Sequence, residues 1–186
     1  MKLIAVLFFL LLTVPAQAQP AFDTLLLSAS PTLNLDAPAS FSERWSPGYG
    51  GHLEVATPFY SGFFEIGAAY HTYGARQPVP VFDALHVYGG YGFYLLDGPV
   101  SVSLAGRLGS YRMQFDEPTF EGVRTETELT TSAVLRADIA LSPRFGLFTS
   151  GTYQHTYTFV RLGMVYASAG LSYLLPTPSW LKSALE

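Results

Sequence analysis

Two-residue alternation constrains this chain more than any other feature, and it dominates from about Tyr49 onward. From Val100 the even positions read Val100, Val102, Leu104, Gly106 and Leu108, while the odd positions read Ser101, Ser103, Ala105, Arg107 and Gly109. One face is apolar and the other is small, polar or charged, which is the pattern of a strand with two unlike faces. From about Thr125 to Leu141 the pattern returns. Leu129, Thr131, Ala133, Leu135, Ala137, Ile139 and Leu141 share one face. Glu126, Glu128, Thr130, Ser132, Arg136 and Asp138 share the other. A helix would put Arg136 and Ile139 on one face, so strand is the better reading. Past Leu108 the apolar residues change parity to Tyr111, Met113 and Phe115. A β-bulge, or a strand that leaves an apolar environment there, accounts for the change.

Turn chemistry divides the rest. Asp97-Gly98-Pro99, Ser142-Pro143-Arg144 and the stretch Thr57 to Gly62 are tight breaks, and polar or Pro-rich stretches lie at about 36–47, 74–81 and 116–124. Eight strands follow, at about 24–35, 48–57, 62–73, 82–95, 100–115, 125–141, 145–156 and 162–174. The first is interrupted by Pro31, a residue that sheets confine to edges and bulges. The first six connections alternate long and short. The seventh, near Tyr157 to Arg161, should be long but reads as tight.

The N-terminus is of another kind. Lys2, the apolar run Leu3 to Val14 and Ala16-Gln17-Ala18 have the layout of a secretory signal peptide, cleaved after Ala18. The run is too short for a spanning helix, which needs about 20 residues. No later apolar run is long enough either. If the mature chain sits in a membrane, only a closed barrel satisfies its backbone.

Composition favours that setting. Charged residues make up 13% of the chain, against roughly 25% in ordinary soluble proteins. Eight basic residues are Arg and two are Lys. The net charge of −4, with no basic patch, argues against nucleic acid as a partner. The absence of Cys excludes disulfides, thiolate metal sites and thiol nucleophiles. Scarce charges of both signs on the polar faces point to pairing in an interior. Glu54, Glu65, Arg107, Glu126, Glu128, Arg136 and Asp138 are expected to form a structural lumen network, because an unpaired buried charge is costly. Aromatics gather toward strand ends. Phe59, Tyr60, Phe63, Phe64, Phe93, Tyr94, Phe145 and Phe148 lie near short turns, and Tyr49, Tyr70, Tyr73, Phe82 and Phe115 near long loops, as interfacial girdles would.

Signal peptide, alternating strands and alternating connection lengths together resemble the small OmpA/OmpX-type outer-membrane barrels over about residues 24 to 175. The resemblance implies an all-β fold, an eight-stranded antiparallel transmembrane up-and-down β-barrel in the bacterial outer membrane. Residues 1–18 would be the signal peptide, 19–175 the barrel and 176–186 a short periplasmic tail. The implied partners are outer-membrane lipids, lipopolysaccharide and, during biogenesis, the barrel-assembly machinery. The expected protein is a monomer without cofactor or metal. One departure is the tail from Pro176, where Ser179 could cap a short helix that sets Trp180 and Leu181 at the membrane interface.

No catalytic constellation stands out, and the expected role is non-enzymatic: structure, anchoring or surface contact around a closed polar lumen. The alternatives are a lipid-modifying hydrolase, a narrow pore and a soluble ligand-binding barrel. Some barrels of this kind are lipid A deacylases or acyltransferases, and His155 near an outer rim, with a serine and a glutamate nearby, would be the histidine of such a site. His52, His71 and His86 share the parity that points inward. Asp116, Glu117 and Glu121 make one long loop acidic. Gly48-Tyr49-Gly50-Gly51 and Gly89-Gly90-Tyr91-Gly92 mark close approach of backbone or ring, since no helix follows to make a phosphate site.

Overall fold

The computed structural model describes residues 21–118, 122–158 and 162–185. The expected signal peptide, residues 1–18, and Glu121 lie outside them. The chain runs through β1 (Thr24–Asp36), α1 (Ala39–Ser42), β2 (Tyr49–Phe59), β3 (Gly62–Tyr73), β4 (Phe82–Leu96), β5 (Val100–Phe115), β6 (Thr125–Ala140), β7 (Phe145–Thr156), β8 (Leu162–Pro176) and α2 (Ser179–Leu185). Each strand pairs antiparallel with the next, and β1 pairs with β8 to close an up-and-down barrel. Closure removes the edges that an open sheet would expose.

Connections 60–61, 97–99 and 141–144 gather at one end of the barrel. Connections 37–48 and 74–81, with the described residues 116–118, 122–124 and 157–158, gather at the other. Pro31 does not break β1. It pairs with Gly51 of β2, and the β1–β2 ladder runs unbroken from Leu26 to Leu33. The cost falls on the other side, where the ladder to β8 skips Ser30 and Pro31. Proline lacks the N–H that such a ladder needs.

The polarity of the barrel is inverted relative to a soluble protein. Leu53, Leu108, Leu135 and Leu171 face outward at 65%, 58%, 53% and 58% exposure. Glu54, Glu65, Arg107 and Arg136 face inward at 4%, 2%, 9% and 7%. Left in water, each such leucine would forgo about 1.5–3 kcal/mol of burial. A hydrocarbon surrounding removes that loss.

The parity change on β5 has a different origin from a bulge. Its registers with β4 and β6 are continuous through Leu108 to Gln114. Odd positions stay inward throughout, and Tyr111, Met113 and Phe115 are buried. What changes is the chemistry of the two faces. Above Gly109 the interior turns aromatic, and Ser110, Arg112 and Gln114 turn the outer face polar.

The expected girdles also divide. Tyr60, Phe64, Phe93 and Phe145 are exposed outside at the short-turn end, joined by Tyr91, whereas Tyr94 has inward parity and packs on Phe63 at the mouth. Tyr49 and Tyr70 are exposed at the long-loop end, with Tyr153 and Tyr157. Phe63, Tyr73, Phe82, Phe115 and Phe148 are buried inside. Position near a strand end does not set the face. Parity does, and these five carry inward parity.

Candidate functional site

The chemistry of the chain is concentrated in the lumen, in two tiers. The lower tier, toward the short turns, is ionic. Arg107 on β5 reaches two strands: Nε donates to Glu65 Oε1 at 2.5 Å and Nη2 to Glu54 Oε2 at 2.5 Å. Arg136 on β6 donates from Nη1 to Glu54 Oε1 at 2.9 Å. It grips Asp138 with two bonds, Nη2 to Oδ1 at 2.7 Å and Nε to Oδ2 at 2.8 Å, and Nη2 also reaches Ser28 Oγ at 3.0 Å. Glu54 therefore lies between two guanidiniums and takes a third bond from the Tyr88 hydroxyl at 2.8 Å. Both guanidiniums also lie on rings, Arg107 over Tyr88 at 4.3 Å and Arg136 over Phe148 at 3.9 Å. Planar, always-charged forks suit this bridging in a way that lysine would not.

Glycine makes the room. Gly67 sits opposite Tyr88 in the β3–β4 register, and a Cβ there would run into the Tyr88 phenol. A Cβ on Gly90 would come within 2.9 Å of both Arg107 Cγ and Glu65 Oε1. Within the run Gly89-Gly90-Tyr91-Gly92, Gly90 makes room for the charge network and Gly92 for the Phe63 ring.

Five of the seven expected network residues meet: Glu54, Glu65, Arg107, Arg136 and Asp138. Glu126 and Glu128 do not join them. They lie at the far end of β6, paired with Met113 and Tyr111. Thr130, Ser132 and Val134 separate them from Arg136 on the same inward row. Eight to ten residues along a strand span about 27 Å or more, beyond the reach of any pair of side chains.

The upper tier is aromatic. The hydroxyls of Tyr73 and Tyr166 lie 2.8 Å apart, and Tyr111 donates to Tyr73 at 3.3 Å. Met164 Sδ lies 3.0 Å from the Tyr166 hydroxyl. Above them Phe41 of α1 packs edge-on to Tyr73 and Phe82, with centroids at 5.4 and 6.0 Å. Trp45 packs on Phe82 at 5.4 Å and donates to the Pro80 carbonyl. Main-chain bonds Ser46 to Gly74 and Arg76 to Arg44 clamp the first long loop to the second. Sequence reading missed this tier, together with Tyr88 and Ser28. The inward parity of Tyr73, Tyr88 and Tyr111 was the signal that could have found them.

Among the described residues no hydrolase triad forms around His155. It faces outward, opposite Thr131 and Gly163 rather than a serine, and stacks edge-on with Tyr157 at 4.8 Å. His52, His71 and His86 are all buried in the lumen. Among the described residues no group of three His, Asp or Glu is placed to hold a metal. In the acidic loop the Glu117 N–H donates to Asp116 Oδ1. The expected C-terminal helix is present as α2, with Trp180 at 71% exposure and Lys182 paired to Asp23.

No family model and no curated sequence matches the chain. Solved structures do. Neisserial surface protein A aligns with a TM-score of 0.55 at 13% identity, over 84% of this chain and 99% of that one. The attachment invasion locus protein of Yersinia pestis aligns with a TM-score of 0.55 at 13% identity, over 82% and 99%. The outer membrane protein OprG from Pseudomonas aeruginosa gives 0.53 at 10%, over 83% and 97%. The chain has the fold of the small outer-membrane β-barrels. An outer-membrane barrel is expected to carry short turns at one end, longer loops at the other, and girdles between apolar band and water. This one has all three.

Proposed function

We propose that the chain is an integral outer-membrane barrel with a shut lumen and a non-enzymatic role: it anchors in the membrane and presents its long loops at the cell surface. The observation that carries the reading is the inverted polarity, with leucines outside and a paired Arg–Glu network inside. Two of the similar structures are named for surface and attachment roles, which favours contact through loops. Outer-membrane lipid, including lipopolysaccharide, would cover the outward leucines, and the barrel-assembly machinery would insert the chain.

Closure is supported at both levels. The ionic tier ties β2, β3, β5 and β6 across the interior, and the tyrosines with Phe41 fill the other end. Eight strands leave an interior just wide enough for side chains to fill. The experiment is to insert the purified full-length chain into a planar bilayer. Conductance near the bare-bilayer level is expected, and stable unitary currents would replace this reading with a pore. Expression in a Gram-negative host should leave the mass of extracted lipid A unchanged. A lost acyl chain would make the protein a lipid hydrolase.

A further inference from the structure

Between the two tiers the lumen is not filled. His52, His71 and His86, from β2, β3 and β4, face Ser150, Thr152 and Ser168, from β7 and β8, across a cavity of about 30 Å³. His71 is buried, and neither of its ring nitrogens has a partner. A neutral imidazole carries one N–H donor and one lone pair, so both needs are unmet. His52 is half-served. Tyr88 gives its proton to Glu54, so His52 Nε2 must donate to the Tyr88 oxygen 2.5 Å away. Its Nδ1 is then an acceptor, and nothing reaches it. Ser30 Oγ and Ser132 Oγ are buried without partners as well. Polar groups buried this deeply are hydrogen-bonded in native proteins with few exceptions.

We propose that this chamber is a hydration site, in which water on each ring nitrogen of His71 bridges the imidazoles to the hydroxyl wall. Size selects the occupant. A water needs about 10–15 Å³ of such space, so the cavity takes about two and excludes a sugar, a peptide or an acyl chain. Chemistry agrees, because the lining offers donors and acceptors together and water supplies both. The two nitrogens point to opposite sides of the ring, so a single molecule cannot serve them. The water joins the ionic tier to the tyrosine tier as one hydrogen-bonded column. It rests on the reading of a shut lumen, since it is held by closure on both sides.

The test uses the full-length chain folded in lipid nanodiscs and labelled uniformly with 13C and 15N. Magnetisation transfer from water should reach the His71 ring protons and the Thr152 side chain with the sign of long-lived bound water. Xenon should leave Ala69 and Thr152 unshifted, and Zn²⁺ should leave the His71 ring nitrogens unshifted. Xenon shifts at Ala69 without water contacts would overturn the proposal in favour of a dry cavity. Ring-nitrogen shifts on adding Zn²⁺ would overturn it in favour of a metal site. Missing water contacts in a non-conducting barrel would sink the hydration site alone, whereas unitary currents would sink the shut lumen beneath it.

Discussion

The two tiers of the lumen solve the same problem with opposite chemistry. The lower tier fills its cross-section with a few long charged side chains that reach across several strands. The upper tier fills its own with rings that pack on neighbours and share hydroxyl contacts. The ionic tier depends on every member, because removing one partner leaves a charge buried without compensation. The aromatic tier is built from many small dispersion contacts and tolerates the loss of a single polar atom. Stability should therefore be brittle below and forgiving above.

The largest effect is expected from Arg107→Met, which strands Glu65 and leaves Glu54 with Arg136 as its one cation. It should cost about 3–5 kcal/mol, read as a lower urea midpoint for the barrel in micelles. Combining Arg107→Met with Glu54→Gln and Glu65→Gln should recover much of the loss. No recovery would mean that packing of the arginine stem, not charge, holds the tier. Gly67→Leu comes next. Its side chain must displace the Tyr88 ring, and overpacking of this kind costs about 1–3 kcal/mol. Tyr111→Phe keeps the ring and loses one hydroxyl, so about 1 kcal/mol is expected in the same assay. A loss as large as that of Arg107→Met would erase the contrast between the tiers. Smallest of all is Glu128→Gln, with a shift within about 0.5 kcal/mol, because the residue lies away from the network. A large shift there would place Glu128 in a network of its own at the mouth.

What the sequence made legible follows from which physical signal is local. Strand positions were readable because alternation and turn residues are written along the chain. All eight strands begin and end within two residues of the boundaries expected from them. The face was readable where one row is apolar and the other polar, as on β6. Height in the barrel was not, since parity carries no information about how far apart two residues on one row stand. Parity alone therefore groups Glu126 and Glu128 with Arg136. The aromatic plug was hidden by a different confusion. On β5 the apolar residues Tyr111, Met113 and Phe115 looked like a change of face, when the interior itself had changed from polar to aromatic. Pro31 was a fair warning of a broken ladder, but which of its two neighbours would lose the pairing depends on register, and register is set by the whole barrel.

A polarity inverted for a membrane can be read one residue at a time, because the sequence has no Cys. Single cysteines placed successively from Leu129 to Ile139 on β6, labelled with a fluorophore in lipid vesicles, would be exposed to a lipid-soluble quencher. Quenching should alternate with period two, strong at 129, 131, 133, 135, 137 and 139 and weak at the positions between. Quenching that is uniformly weak, with the even positions open to a water-soluble quencher, would contradict the account.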